Sequence, residues 1–371
     1  MYAFYFLAIT DLQDLLPILL TAVSKNKKCW VCFVDSLYKK RQLYYYEPNE
    51  LKGFIKEVCK NNNLPCPEVD FFGQNDKAAF EHEYQKRNPE YVFLQNVYHK
   101  YSLWIPAASK SKVINFAWGP EECMEKSNYN ICLNAARYRD DVSVYKQRFP
   151  NIDTVYFGNF RLEALKYKPY TTNYSLEDLK NKKVCFIPET TLRLKDPNYE
   201  KWVECVDNLI KFLHDQGYFV IWKSREKGHP QVSKNSTLNY CKNKPDLIID
   251  KDLNFPSSLY NIPTVADMCL VINFSASFSD IKKINENSFV IQTPKLSKKR
   301  IERMHAIYKK RDVIELDSKE GWDLLKQIAD QSYQKNNYFI NKVGKKSTSS
   351  PSALLMNNLS GVQKDENKAL K

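Results

Sequence analysis

Glycine is scarce in this chain, with nine residues in 371, and neither GxGxxG nor GxxxxGK(S/T) occurs. The usual dinucleotide and P-loop readings are therefore disfavoured. Histidine is scarcer, and His82, His99, His214, His229 and His305 are never spaced as ligand pairs. The one CxxC, Cys29 to Cys32, lies in the strand-like run KKCWVCFVD. Residues three apart on a strand face opposite sides, so no zinc site is expected. No apolar run approaches the ~20 residues that a membrane-spanning helix requires. The apolar start MYAFYFLAIT lacks a basic leader and is followed by Asp11 and Asp14. It reads as a first strand rather than a signal peptide.

What is present is ample material for packed cores, 43% hydrophobic and 13% aromatic residues. At this length two domains are expected. The formal charge of +13 comes from Lys and Arg interleaved with acids through nearly every segment. That is the pattern of a solvated surface, without a nucleic-acid motif, and no nucleic-acid partner is expected. It leaves room for peripheral attachment to a membrane. The ten cysteines follow no repeating spacing, and most lie in apolar strands or helix faces, such as Cys29, Cys32, Cys59, Cys185, Cys205 and Cys269. This fits buried, reduced thiols and a cytoplasmic protein.

Strand-like and helix-like segments alternate through the first half. Residues 5–9, 29–34, 69–72, 91–94, 113–117, 131–135 and 154–158 read as strands. Residues 15–23 read as a helix, and residues 48–59 place Leu51, Phe54, Ile55, Val58 and Cys59 on one helical face. After a polar, turn-rich linker at 167–182 the alternation restarts, with strands at 183–189, 218–223, 246–250, 269–273, 288–292 and 312–316. A helix over 198–214 carries Trp202, Cys205, Val206, Leu209, Ile210 and Leu213 as one buried stripe. The pattern predicts an α/β protein of two Rossmann-like parallel-sheet domains, 1–166 and 183–340, facing a cleft. A last helix is expected over 322–338, and 341–371, rich in Lys, Ser and Asn, as a disordered tail.

The most informative stretch is ADMCLVINFSASFSD, residues 266–280. An apolar strand ends there in a Ser-containing turn that feeds a helix near Ser277, preceded by a short helix at 257–267 and followed by a second strand. Such a turn exposes amides and hydroxyls suited to a phosphate group, and points to a nucleotide-linked donor.

These residues resemble the donor domain of a GT-B glycosyltransferase, and in particular the CDP-glycerol glycerophosphotransferase group. In that group's aspartate–tyrosine–serine–serine turn, with an acid five positions after the first serine, Asn273 stands for the aspartate, Phe274 for the tyrosine, Ser275 for the first serine and Asp280 for the acid, while Ala276 replaces the second serine and removes one hydroxyl. VYFGNFRLEAL, with Gly158, Asn159, Arg161 and Glu163, is similar to the group's glycine–asparagine–proline–arginine–x–aspartate turn that closes the first domain. FIPETTLR, ending at Arg193, resembles its proline–threonine–x–arginine stretch. WKSREKGHP puts Lys223 at the lysine and Arg225 at the histidine of lysine–x–histidine–proline. The order covers roughly residues 113–325. In FAWGPEE, Trp118 stands where the group has the histidine that is its candidate catalytic residue. Indole has no titratable lone pair near neutrality, so sugar transfer is the better expectation than glycerol-phosphate transfer.

The resemblance implies a nucleotide-activated sugar donor, a glycan acceptor and no cofactor. Ser275 and Ser277, helped by Arg193, Lys223 and Arg225 and with Asp280 at the acidic position, are the donor and phosphate candidates. Gly158, Asn159 and Arg161 belong to the cleft or hinge, where Arg161 and Glu163 form a salt bridge or touch the donor. Fixed donors neutralise a leaving diphosphate without a metal. For the base, Glu121 and Glu122 follow the strand at 113–117 and are preferred over Asp11, Asp35 and His99. Three alternatives stay open: a metal-binding Asp250–Asp252 pair in a single-sheet GT-A transferase, a binding protein without turnover, and an isomerase similar to UDP-sugar 2-epimerases.

Overall fold

A computed structural model of the chain describes residues 1–35, 46–95, 104–106, 109–116, 130–136, 138–189, 198–224, 237–273, 277–294, 298–331 and 350–360. Its contacts divide into two compact units: 1–170 with 347–371, and 171–346.

Unit 1 holds seven parallel strands, β1 (Tyr2–Phe6), β2 (Cys29–Val34), β3 (Glu68–Phe72), β4 (Tyr91–Gln95), β5 (Lys112–Phe116), β6 (Ile131–Ala135) and β7 (Asp153–Val155), in the order β3-β2-β1-β4-β5-β6-β7. Its helices are α1 (Leu12–Ser24), α2 (Pro48–Asn61), α3 (Lys77–Arg87), α4 (Asp141–Arg148) and the single turn α5 (Phe160–Glu163). The first strand is three residues earlier than the sequence suggests. Asp11 Oδ2 accepts from the amides of Leu7 and Ala8, both at 2.9 Å, and turns 9–11 into a 3₁₀ turn that ends the extended run. Alternation along β1 and β2 sends Ala3, Tyr5, Trp30, Cys32 and Val34 to one face, where they pack with Phe80 and Tyr84 of α3. Trp30 stacks on Phe80 there at 6.0 Å between centroids.

Unit 2 opens with α6 (Leu176–Lys180), inside the segment expected to be linker, capped by Ser175. Six parallel strands follow, β8 (Val184–Pro188), β9 (Phe219–Lys223), β10 (Leu247–Ile249), β11 (Met268–Ile272), β12 (Ser288–Gln292) and β13 (Val313–Glu315), in the order β10-β9-β8-β11-β12-β13. The helices are α7 (Tyr199–Asp215), α8 (Ser258–Asn261), α9 (Phe278–Ile284), α10 (Lys298–Ile307) and α11 (Lys319–Gln331). The α7 stripe is buried as its spacing requires, from Trp202 through Leu213. One face of the sheet, with Ile187, Trp222, Leu270 and Ile272, packs on α7 and α11, and the other, with Phe186, Val271 and Val290, packs on α9 and α10.

The structure thus contains two separate parallel sheets, both following the doubly wound order in which the first strand lies beside the fourth. The single-sheet GT-A reading is excluded. The tail is also corrected: within 341–371, residues Pro351–Leu359 form a helix, α12, in unit 1. Ser350 Oγ accepts from the Ala353 amide, Pro351 fills the first turn, and Ser352, Leu355 and Met356 are buried. A Ser-Pro start is a helix signal that the polar composition of the segment conceals. Residues 332–338 of the expected last helix lie outside the described residues.

Candidate functional site

Open parallel sheets bind ligands outside the carboxyl ends of their strands, where the winding reverses direction. In unit 2 that point lies between β8 and β11. The chain leaves β8 at Pro188 and β11 at Ile272, so both motif segments, 190–197 with Arg193 and 274–276 with Ser275, start at this edge. Those segments, Arg225, Glu121, Glu122, His99 and Trp118 lie outside the described residues. The geometry of the site rests on the groups that frame them.

Asn273, the residue after β11, lies in the left-handed region, with φ of 54°. Asparagine tolerates this conformation where β-branched residues do not. Its side chain is clamped to the neighbouring strand: Nδ2 donates to Thr293 Oγ1 at 3.0 Å, and Oδ1 accepts from the Thr293 amide at 3.0 Å and from its hydroxyl at 3.1 Å. This clamp fixes the residue that immediately precedes Phe274 and Ser275 against the neighbouring strand. Beyond the turn, Ser277 is the N-cap residue of α9, although its hydroxyl makes no cap bond. Asp280 stands in the first turn, fully buried, and accepts from the Tyr260 hydroxyl at 3.5 Å. It braces α9 against α8.

Lys223, expected to meet the donor phosphate, closes β9 with Nζ 3.4 Å from Asp252 Oδ2, and the two side chains are 7% and 2% exposed. Asp252 also accepts from the Ser258 hydroxyl at 2.7 Å and from Asn254 Nδ2 at 2.7 Å. Its carboxylate is thus enclosed by the turn that leads into α8, rather than open to a metal as the Asp250–Asp252 reading required. Tyr174 lies next to this cluster, donating to Asn261 Oδ1 at 2.6 Å. Burial, reinforced by the Asp252 charge, pushes its phenol well above the ordinary value.

In unit 1 the winding reverses between β1 and β4. At that edge Gln95, the last residue of β4, donates through Nε2 to Asp14 Oδ2. Arg161 Nε donates to Asp14 Oδ1 at 2.7 Å and its Nη2 to Asp14 Oδ2 at 2.6 Å. With Phe116, Ala135, Ala136, Gly158, Asn159 and Phe160, Asp14 and Gln95 line a small cavity. Gly158 has φ of +121°, and a Cβ there would sit 2.6 Å from Pro351 Cγ. Asn159 Oδ1 accepts from the amides of Arg161 and Leu162 and caps α5. Glu163 accepts from the Ser352 amide at 2.8 Å and its hydroxyl at 2.7 Å. Arg161 and Glu163 therefore do not bridge each other; one grips α1 and the other α12.

Asp11 and Asp35 both lie among the described residues. Asp11 is the buried stitch after β1. Asp35, just past β2, is 7% exposed. Burial raises its pKa, and a hydrogen bond from Gln74 partly opposes the rise. The Asp14–Gln95–Arg161 network escaped sequence reasoning; its one local signal was an acid, Asp14, set inside the apolar run LQDLLPILL.

No protein-family model matches the chain, and no curated protein matches it either. Solved structures do match along its length. UDP-GlcNAc 2-epimerase from Neisseria meningitidis, bound to UDP-GlcNAc, is 11% identical, with 97% of this chain and 99% of that chain covered and a TM-score of 0.56. The spinosyn forosaminyltransferase SpnP is 12% identical, with coverage of 97% and 98% and a TM-score of 0.51. UGT2 of Phytolacca americana, complexed with UDP-2-fluoro-glucose and pterostilbene, is 9% identical, with coverage of 97% and 98% and a TM-score of 0.50. At such identities the likeness is one of fold: two Rossmann-like parallel-sheet domains of the GT-B type.

Proposed function

We propose that this chain is a metal-independent glycosyltransferase of the GT-B type, moving a sugar from a nucleotide-activated donor to a glycan acceptor. The observation that carries the reading is the construction at the end of β11. A left-handed Asn273, clamped to Thr293, follows the strand at the winding reversal of unit 2 just before Ser275, and α9, which begins after Ser277, is braced by buried Asp280. Both flanks of residues 274–276 are thus anchored, and hydroxyls and amides held between a strand end and a helix start are suited to stabilising a departing diphosphate.

In this reading Ser275 and Ser277 hold the diphosphate, with Arg193 and Arg225 neutralising its charge. Lys223 supports the same edge by neutralising Asp252 beneath the turn into α8. Glu121 or Glu122 takes the acceptor proton. Gly158, Asn159 and Arg161 shape the unit 1 edge. The net charge of +13 leaves room for an acceptor held at a membrane, through peripheral contact.

A second reading, an isomerase acting on a UDP-sugar, is favoured by the fold likeness to UDP-GlcNAc 2-epimerase. Glycerol-phosphate transfer follows from the motif order, but Trp118 in the histidine position weighs against it. A binding protein without turnover remains the non-enzymatic form of the same site.

The deciding experiment is a thermal-shift panel of UDP-, GDP- and CDP-linked donors and free nucleotides, with and without chelator, followed by product analysis without acceptor. A chelator-insensitive rise with one nucleotide class supports the proposal. A rise that chelator abolishes refutes metal independence, and no rise with any donor refutes the nucleotide site. An altered sugar nucleotide formed without acceptor moves the assignment to the isomerase.

A further inference from the structure

Gln292 ends β12 one residue before Thr293, the residue that anchors Asn273. It is 5% exposed, and its Oε1 has no hydrogen-bond partner among the described residues. The register pairs Ile272 with Ile291, so Gln292 stands level with Asn273 on the adjacent strand. Alternation sends Ile291 to the α7 and α11 face and Val290 to the α9 and α10 face. Gln292 therefore falls on the side of the sheet that carries α9. Of two carboxamides at the same height of the ligand edge, that of Asn273 has its acceptor oxygen doubly satisfied, whereas the acceptor of Gln292 is withdrawn from solvent and unsatisfied.

A buried acceptor without a donor costs stability, and an apolar side chain of the same length would pack there without that cost. The polar residue is thus locally unfavourable in the free protein. We propose that Gln292 is a donor-recognition residue, whose Oε1 accepts a hydrogen bond from an N–H or O–H group of the nucleotide-sugar donor. This deepens the nucleotide-sugar reading and rests on it. The donating group is either on the nucleoside, as a base N–H or ribose hydroxyl, or on the sugar, as a hydroxyl.

The test uses the full chain and its Gln292→Met and Gln292→Glu variants, with melting temperature and calorimetric binding of UDP and UDP-GlcNAc as readouts. Gln292→Met is expected to melt higher than the parent and to bind about tenfold more weakly, a loss of one hydrogen bond. Gln292→Glu keeps an acceptor oxygen and is expected to retain most of the affinity. Equal weakening for UDP and UDP-GlcNAc places the contact on the nucleoside; weakening for UDP-GlcNAc alone places it on the sugar. Should the Met variant fail to fold, Gln292→Leu replaces it. A more stable variant that binds as tightly as the parent overturns the proposal, because the acceptor is then only tolerated. Binding by the parent protein of neither these two ligands nor any GDP- or CDP-linked donor overturns the underlying reading, a result distinct from failure in the variants alone.

Discussion

The guanidinium of Arg161 closes on the carboxylate of Asp14 through two hydrogen bonds, joining residues 147 apart in sequence with both groups buried. Removing one partner leaves the other as an uncompensated buried charge. Arg161→Met is expected to lower the stability of unit 1 by about 3–5 kcal/mol. The double variant with Asp14→Asn should lose less than the sum of the two single changes. Urea unfolding of all four proteins checks this, and additive losses would show that the pair is not coupled.

Gly158 makes a second, steric prediction. Alanine there meets both a positive φ and the Pro351 ring. Gly158→Ala should be destabilising, and Pro351→Ala should recover the steric part but not the backbone part. Equal melting temperatures for Gly158→Ala and the double variant would mean that the ring is not what excludes a side chain.

Ser352→Ala strips Glu163 of a hydroxyl donor while leaving the Ser352 amide bond in place. A loss of about 1–3 kcal/mol is expected. Proteolysis should cut within 350–360 sooner in the variant than in the parent. An unchanged cleavage rate would place the anchorage of α12 elsewhere, in its apolar side.

Asp35 predicts a pH effect of definite sign. Burial raises its folded pKa, so its contribution to stability is present at low pH and lost as pH rises through that pKa. Asp35→Asn should therefore be more stable than the parent at neutral pH, with the gain shrinking in acid. Denaturation midpoints across this range test it, and a gain that persists in acid would assign the effect to something other than ionisation.

Substituting Ser275 and Arg225 together is expected to abolish donor binding with the circular dichroism spectrum unchanged. Lys223→Met should behave differently, lowering stability because it strands buried Asp252. If Lys223→Met leaves stability intact and only affinity falls, the lysine meets the donor after all.

Much of this architecture was legible because parallel strands buried on both faces leave continuous apolar runs. β2, β6 and β12 coincide with the runs CWVCFV, ICLNA and SFVIQ, and the restart at residue 183 marks the second sheet. What escaped depends on partners distant in sequence. Nothing local in GNFRLE says that Arg161 reaches Asp14 or that Glu163 reaches Ser352, and so a bridge between the two was the natural expectation. The helix at Pro351–Leu359 was missed for a related reason: its apolar face is short, and its stability comes from docking rather than from its own composition.

The docking of α12 also orders events during synthesis. Unit 2 is one uninterrupted stretch, 171–346, and can fold as soon as it has cleared the ribosome, whereas unit 1, begun first, lacks its closing helix until residues 351–359 emerge. A nascent chain stopped short of them would carry Glu163 without its serine and Gly158 beside an empty groove. Unit 1 is therefore opened before unit 2 and closed only after it.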